Sequence, residues 1–186
     1  MKILLKKLIN KFRSKIVLNR PSNRSNCLHF CYEFIAKSDL NGPYAEFGTF
    51  EGKSFINAYE AISYWTEQAV INGWRFNDKQ MYAFDSFEGL PSETENEKLT
   101  SYSIFKPKQY ACAKLAFQER LKRSKVQMGN VHITEGFFDQ SLAKFSMTKE
   151  ADPFSVINID CDLYSSAVPV FDFITTRVQD GCILIL

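Results

Sequence analysis

Short apolar runs alternate with longer amphipathic segments along most of this chain. Five apolar runs predict β-strands at 44–47, 81–84, 131–134, 155–159 and 182–186. Around them, apolar residues at helical spacing predict helices at 28–35, 53–71, 110–121 and 165–178. Because the strands are continuously apolar, we expect a mostly parallel sheet that is buried on both faces by helices. The predicted fold class is therefore α/β.

Residues 1–25 follow a different pattern. An apolar residue recurs at every fourth position of 2–18, at Leu4, Leu8, Phe12 and Ile16. Lysine and arginine occupy many of the other positions, so this segment is predicted to be a basic amphipathic helix, with a polar linker at 20–26. Two interpretations stay open: peripheral contact with an anionic membrane surface, or docking on the domain with the basic face in solvent. Residues 26–186 are expected to form one domain.

The composition narrows the class of function. The chain has 186 residues and a net charge of +2, but residues 1–24 carry eight Lys/Arg and no acid, and the remainder carries 15 basic and 21 acidic residues. The domain is therefore not expected to bind nucleic acid. Five scattered cysteines without a Cys-x-x-Cys motif indicate a reducing, cytoplasmic location rather than a zinc site. No apolar stretch reaches the ~20 residues that a membrane span requires.

The segment 43–54 contains the most informative motif. Its strand ends at Glu46, a turn bracketed by Gly48 and Gly52 follows at once, and an amphipathic run begins near Ser54. In open α/β sheets, a strand, a tight glycine turn and a helix form the ligand pocket at the carboxyl end of the first strand. The same pattern also fits a plain strand–helix connection, so the residues of the turn must indicate the ligand.

Two phosphate-binding motifs fit this turn poorly. A P-loop requires Gly-x-x-x-x-Gly-Lys-Ser/Thr, and here the spacing is one residue short, with Phe47 where the first glycine belongs. A dinucleotide fingerprint requires a second glycine where this chain has Phe50. In either motif, Glu51 would bring a carboxylate close to the phosphates. A P-loop nucleotidase that uses Lys53 and Asp160 remains an alternative.

Acidic residues end four of the predicted strands: Glu46, Asp85, Glu135 and Asp160. Because the carboxyl ends of parallel strands meet at one edge of the sheet, we expect these carboxylates to surround one crevice. A single acid at such a position often only caps the following helix, but four together favour a cationic ligand. S-adenosylmethionine, with its sulfonium and α-ammonium groups, is such a ligand.

Three segments resemble the macrocin O-methyltransferase (TylF/MycF-like) family of class I S-adenosylmethionine-dependent methyltransferases. They are 45–54 (Ala-Glu-Phe-Gly-Thr-Phe-Glu-Gly-Lys-Ser), 84–91 (Phe-Asp-Ser-Phe-Glu-Gly-Leu-Pro) and 159–166 (Ile-Asp-Cys-Asp-Leu-Tyr-Ser-Ser). The resemblance covers about residues 40–186 and implies a Rossmann-like fold. It also implies that a methyl group is transferred from S-adenosylmethionine to a hydroxyl of a sugar or glycosylated small molecule.

The resemblance assigns roles at the cofactor site. Ser54 would bond the carboxylate of the methionine end, and Asp85 would accept both ribose hydroxyls. The residues that would line the methionine end are Glu46, Gly48, Thr49 and Phe50. Ser86 and Phe87 would flank the adenosine, and the pair after the third strand would border the adenine. For Phe87 and Phe137, simple core packing stays open. The implied cofactor residues are Glu46, Phe47, Gly48, Thr49, Phe50, Gly52, Ser54, Asp85, Ser86, Phe87, Gly136 and Phe137.

The resemblance also assigns Asp160 as a Mg²⁺ ligand and as the base that takes the acceptor's proton. For Asp162, metal ligation and capping of the next helix stay open. The family continues after the fifth strand with an Asp-Asp pair and further strands, so we expect this chain to be truncated, without its last strands and part of its metal site. A non-catalytic cofactor-binding module is the alternative, and a homo-oligomer is left open.

Overall fold

The computed structural model describes residues 23–77, 79–92, 106–148 and 153–186. The basic segment 2–18 lies outside the described residues. The helices are α1 (Asn23–Lys37), α2 (Lys53–Asn72), α3 (Lys114–Arg123), α4 (Phe138–Thr148) and α5 (Tyr164–Ile174). The strands are β1 (Tyr44–Phe47), β2 (Met81–Asp85), β3 (Val131–Glu135), β4 (Phe154–Ile159) and β5 (Val178–Ile185). A short 3₁₀ turn, Met128–Asn130, precedes β3.

All five strands pair in parallel, in the order β3-β2-β1-β4-β5. The chain moves outward from β1 to β3 and then returns to the other side of β1, so the topological switch point lies between β1 and β4. In such sheets the crevice outside the carboxyl ends at this point is the usual ligand site. The predicted α/β class with a parallel sheet is confirmed.

Helices cover both faces of the sheet. One core cluster packs α1, α2 and part of α3 against Tyr44 and its neighbours. The other packs α4 and α5 against Phe47 and Phe84, whose rings stack with centroids 4.7 Å apart. The alternation of side chains along β1 explains this division, because Tyr44 and Phe47 point to opposite faces. None of the helices in the described ranges is long and apolar enough to cross a bilayer.

Several predicted element boundaries need correction. Helix α1 already begins at Asn23, inside the predicted linker, and α3 begins at Lys114 rather than at 110. Helix α4 was not predicted. Pro169 lies at the sixth position of α5 and not in its first turn.

The predicted turn at Asp180 and Gly181 is instead a bulge inside β5. The ladder pairs Phe154 with Val178 and next pairs Val156 with Ile183, so β5 carries extra residues at this point. Gly181 has φ +86°, and a Cβ there would lie 2.6 Å from Leu40. The positive φ therefore favours glycine at this position, and the Leu40 side chain would have to shift to accommodate a larger residue.

Candidate functional site

A cavity of about 470 Å³ opens at the carboxyl edge of the sheet, at the β1/β4 switch point. The residues that follow β1, β2, β3 and β4 line it, together with the first turns of α4 and α5. Its volume lies within the range of roughly 300–1,000 Å³ that small-molecule sites occupy. This is the place where the sheet topology predicts a ligand.

Four aspartates line the cavity: Asp85, Asp139, Asp160 and Asp162. No lysine or arginine is among the described residues that line it. The sequence predicted a different acidic set. Glu135 instead forms an ion pair with Lys114 at 3.0 Å, and Glu46 is fully buried and does not line the cavity. Only two of the four predicted acids, Asp85 and Asp160, therefore line the cavity. The other two lining acids are Asp139 from α4 and Asp162 from the turn after β4.

The carboxylate of Asp85 holds the glycine turn in place. Its Oδ2 accepts hydrogen bonds from the backbone N–H of Thr49 at 2.7 Å and of Phe50 at 2.9 Å. Its Oδ1 accepts one from the N–H of Phe87 at 2.8 Å. Phe50 and Phe87 have φ values of 45° and 56°, a conformation that is costly for residues with a side chain. Asp85 thus stabilises two strained residues at the cavity, a role that the sequence did not suggest.

Gly48 allows the carboxyl ends of β1 and β4 to approach closely. Its φ is +87°, and a Cβ at this position would lie 2.3 Å from the carbonyl oxygen of Asp160. Both the conformation and the contact exclude a larger residue. Gly48 therefore determines how near the glycine turn lies to the acids after β4.

We expect Gly48→Ala to lower the free energy of unfolding by about 3 kcal/mol or more, because it adds a backbone clash to the cost of a positive φ. Gly73→Ala is the matched control: Gly73 has φ +74°, but a Cβ there would meet no atom of the described residues within 4 Å. It should cost only about 1 kcal/mol. Urea unfolding of both variants measures the difference, and equal losses would show that the contact with Asp160 is unimportant.

Glu46 forms the centre of a buried polar cluster behind the glycine turn. Its carboxylate accepts hydrogen bonds from the hydroxyls of Tyr44 and Ser54, each at 2.5 Å, and none of its surface is exposed. Burial raises the pKa of Glu46 to about 7, against the opposing effect of these two hydrogen bonds. Ser54, predicted to bond the cofactor's carboxylate, is thus already engaged by Glu46.

Glu46 should give the protein a pH-dependent stability. An unfolded glutamate ionises near pH 4.5 and the folded one near 7. Between these values the folded state binds more protons, so the contribution of Glu46 is fully present below pH 4.5 and falls by about 3 kcal/mol as pH rises to 7. Glu67, an exposed residue of α2, provides the control. Urea unfolding from pH 4.5 to 8 should show this fall in the wild type and in Glu67→Gln, but not in Glu46→Gln. Parallel profiles for all three proteins would contradict the assignment.

The structure places the predicted cofactor residues in two groups. The first group lines the cavity: Gly48, Phe50, Asp85, Ser86 and Phe137. The second does not: Glu46, Phe47, Thr49, Gly52, Ser54, Phe87 and Gly136.

Several residues of the second group pack in the protein core instead of lining the cavity. Phe47 is wholly buried in the core, and Phe87 packs on Phe117 with ring centroids 5.5 Å apart. A Cβ on Gly52 would lie 2.7 Å from the same Phe117 ring, so this glycine makes room for α3. For Phe87, the structure therefore favours the core-packing interpretation.

Some residues at the cavity were not predicted. Tyr110 stands beside Phe50 at the rim, with ring centroids 5.6 Å apart. Asp139 and Gln140 come from the first turn of α4, which the hydrophobic pattern did not reveal. The position of this turn after a strand-end glycine was the signal available in the sequence. Burial raises the pKa of Cys161, another cavity residue, to about 11, so its thiol is protonated at neutral pH.

Asp160 and Asp162 flank Cys161 in the turn after β4, and both line the cavity. The pKa of Asp162 is raised by burial and then by the negative charge of Asp160. A bound cation would relieve this repulsion. Within the described residues, no cluster of three or more His, Cys, Asp or Glu side chains is placed to hold a metal ion.

The residues of the P-loop alternative lie outside the cavity. The side chain of Lys53 is 82% exposed and lies 3.6 Å from Glu51. Glu51 in turn pairs with Arg120 of α3 at 2.6 Å. Neither Lys53 nor Glu51 contacts the space in which a ligand would lie. The structure therefore contradicts a phosphate site built on Lys53.

Most of the chain matches a known protein family. The family model described as Macrocin-O-methyltransferase (TylF) matches residues 21–186. No curated protein sequence is significantly similar to this chain. The structure is similar to that of the O-methyltransferase NovP, with 18% identity and a TM-score of 0.67, covering 87% of this chain and 62% of that one.

Two other solved structures are also similar. For CalS11, a calicheamicin methyltransferase, the identity is 15% and the TM-score 0.68, covering 86% of this chain and 62% of that one. For the O-methyltransferase TomG from Streptomyces achromogenes, the values are 15% and 0.52, covering 90% and 56%. Similarities at this level of identity show the fold, which is Rossmann-like as predicted. The chain spans 62% of the length of NovP and CalS11.

Proposed function

Because this chain belongs to the macrocin O-methyltransferase (TylF) family, we propose that it methylates a hydroxyl group with S-adenosylmethionine as the donor. The proposed acceptor is a sugar or a glycosylated small molecule. Structures with the same fold come from O-methyltransferases, and one of these enzymes, CalS11, is a TDP-rhamnose 3'-O-methyltransferase. These relatives support the substrate class by analogy only.

The charge of the cavity is the observation that carries the proposal. Four aspartates and no described basic residue face the space at the switch point. A polyphosphate would be repelled there, whereas a sulfonium and an ammonium group would be attracted. A P-loop nucleotidase would need Lys53 beside the phosphates, but Lys53 is exposed and ion-paired outside the cavity. The site therefore favours a cationic nucleoside over a nucleotide.

We assign the cofactor one orientation in the cavity. Asp85 would accept a ribose hydroxyl at Oδ1, which accepts one hydrogen bond from the described residues and has capacity for a second. Phe137, half-buried two residues after the end of β3, would lie against the adenine. Gly48 and Phe50 would border the methionine end. When bound, S-adenosylmethionine supplies an electrophilic methyl group.

Asp160 is the proposed base. It is exposed at the cavity edge after β4, on the side of the cleft opposite to β2. A carboxylate here would accept the proton of the acceptor hydroxyl as its oxygen attacks the methyl carbon. The other contribution to the reaction rate would come from positioning the hydroxyl and the methyl group, with the reacting atoms held ~3–3.5 Å apart.

Asp160 and Asp162 are the residues that would hold Mg²⁺. Two carboxylates are enough for this ion when water and substrate oxygens complete its coordination. When bound, it would lower the pKa of a coordinated hydroxyl and orient it. Burial, and after it the negative charge of Asp160, raises the pKa of Asp162, and a bound cation would favour its ionised form.

Methyl transfer tests the proposal directly. The purified chain would be incubated with methyl-labelled S-adenosylmethionine and a panel of nucleotide sugars and glycosides, with and without Mg²⁺. We expect label in a sugar methyl ether, identified by mass spectrometry. Cofactor binding without labelling of any acceptor would instead support a non-catalytic module.

The variant Lys53→Ala should bind S-adenosylhomocysteine as tightly as the wild type, within about threefold, since Lys53 lies outside the cavity. Isothermal titration calorimetry measures both affinities. Tight MgATP binding that is lost in Lys53→Ala would contradict this expectation and restore the nucleotidase alternative.

A further inference from the structure

Helix α1 has an apolar stripe on its outer side that nothing described in the structure covers. Cys27, Phe30 and Phe34 recur at i, i+3 and i+7, which places them on one face of the helix. Phe30 is 71% and Phe34 50% exposed, and Cys27 is exposed as well. The opposite side of α1 is buried on α2. We call the three exposed residues the outer stripe.

We propose that residues 2–18 form a helix that folds back along α1 and covers the outer stripe. The sequence predicts an amphipathic helix for this segment, and its apolar residues need a partner because an isolated helix of this length is marginal in water. The segment precedes α1 directly in the chain. It is therefore present at a high local concentration beside the face that it would cover.

The connection between the two helices has the right length for a helical hairpin. Residues 19–22 separate the predicted helix from the start of α1 at Asn23. Helix–helix connections in bundles commonly have about 2–8 residues. Pro21 lies within this connection and disfavours a helical conformation at the residue before it. Residues 2–18 and α1 are also similar in length, so the two helices can lie side by side.

The apolar residues of the two helices match in register. If the chain reverses at about residue 21, Ile16 lies opposite Cys27 and Phe12 lies opposite Phe30. The same register places Leu8 opposite Phe34. Both stripes repeat every three to four residues, which is the spacing that keeps side chains in contact along two packed helices.

The segment 2–18 and the rest of the chain carry opposite net charges. Residues 2–18 carry six basic residues and no acid, whereas residues 25–186 have 15 basic and 21 acidic residues. Glu33 lies beside the outer stripe on α1, where it pairs with Lys37. The electrostatic attraction therefore acts between the segment and the domain as a whole, and it adds to the burial of the outer stripe.

Disulfide trapping in the full chain tests the proposal. The variant Ile16→Cys would place a thiol opposite the exposed Cys27, within the short distance that a disulfide requires. Ser14→Cys is the matched control, because its side chain lies on the opposite side of the predicted helix. With oxidised glutathione as oxidant, we expect Ile16→Cys to form an intramolecular disulfide with Cys27 about tenfold faster than Ser14→Cys. Peptide mapping by mass spectrometry identifies the bond, and Cys27→Ser should abolish it.

Three results would overturn the proposal. Equal trapping rates for Ile16→Cys and Ser14→Cys would show that the segment has no fixed orientation on α1. A disulfide between two chains would assign the outer stripe to a second copy. Absence of the intramolecular disulfide, combined with sedimentation of the chain on phosphatidylserine vesicles, would assign the segment to a membrane surface.

Discussion

Replacing Asp85 with alanine should abolish binding of S-adenosylhomocysteine and lower the free energy of unfolding by about 3–6 kcal/mol. Three backbone N–H groups lose their acceptor in this variant, and two of them belong to residues with positive φ. The glycine turn would then relax and the cavity lose its shape. Urea unfolding without ligand and calorimetric titration with S-adenosylhomocysteine separate the two effects.

Glu88→Gln is the control for charge. Glu88 is exposed and lies three residues from Asp85, but it does not line the cavity. Its variant should keep wild-type stability and affinity. If Asp85→Ala unfolded at the same urea concentration as Glu88→Gln, the carboxylate would not hold the glycine turn.

Replacing Asp160 with asparagine should slow methyl transfer by about 10²–10⁴-fold, the usual loss when a general base is removed. The affinity for S-adenosylhomocysteine should stay within about threefold of the wild-type value, because Asp160 is proposed to act on the hydroxyl of the methyl acceptor and not on the cofactor. Asparagine keeps the shape of the side chain but cannot take a proton. Initial rates with a methyl acceptor identified from the panel measure the effect.

Glu135→Gln is the matched control for Asp160→Asn. Glu135 also ends a strand, but it pairs with Lys114 and lies outside the cavity. This variant should transfer methyl groups at the wild-type rate. Comparable losses in both variants would point to a general effect of negative charge at the sheet edge, and an unchanged rate in Asp160→Asn would exclude it as the base.

The sheet could be predicted from the sequence because a strand buried on both faces needs a continuous apolar run. Tyr44–Phe47 and Phe154–Ile159 are buried along their whole length, and both agree with the predicted strands within one residue. The bulge in β5 could not be predicted in the same way. Asp180 and Gly181 are typical turn residues, and only pairing with β4 keeps them inside a strand.

The candidate site was predicted by location more accurately than by residue. The strand order brings the ends of β1, β2 and β4 together, and this follows from an alternating α/β pattern. Which acids face the cavity depends on tertiary partners that a sequence does not display. Glu135 forms an ion pair with Lys114 instead, and Glu46 accepts hydrogen bonds from the hydroxyls of Tyr44 and Ser54 inside the core.

Asp85 has two roles, one in holding the glycine turn and one, which we propose, in binding the ligand. Only the second could be predicted from the sequence, for a related reason. A carboxylate has room for about four hydrogen bonds, so one residue can support the glycine turn and still face a ligand. The family resemblance suggested only the second role. The first depends on backbone N–H groups of residues 35 and 36 positions earlier in the chain, which the fold alone brings to Asp85.

Calorimetric titration of the wild-type chain with sinefungin and with ADP tests most directly whether the acidic cavity binds a cationic nucleoside. Both ligands contain adenosine, but sinefungin adds amino groups whereas ADP adds negative charge. The structure predicts saturable binding of sinefungin, lost in Asp85→Ala, and no binding of ADP. Binding of ADP with equal or higher affinity would contradict the account.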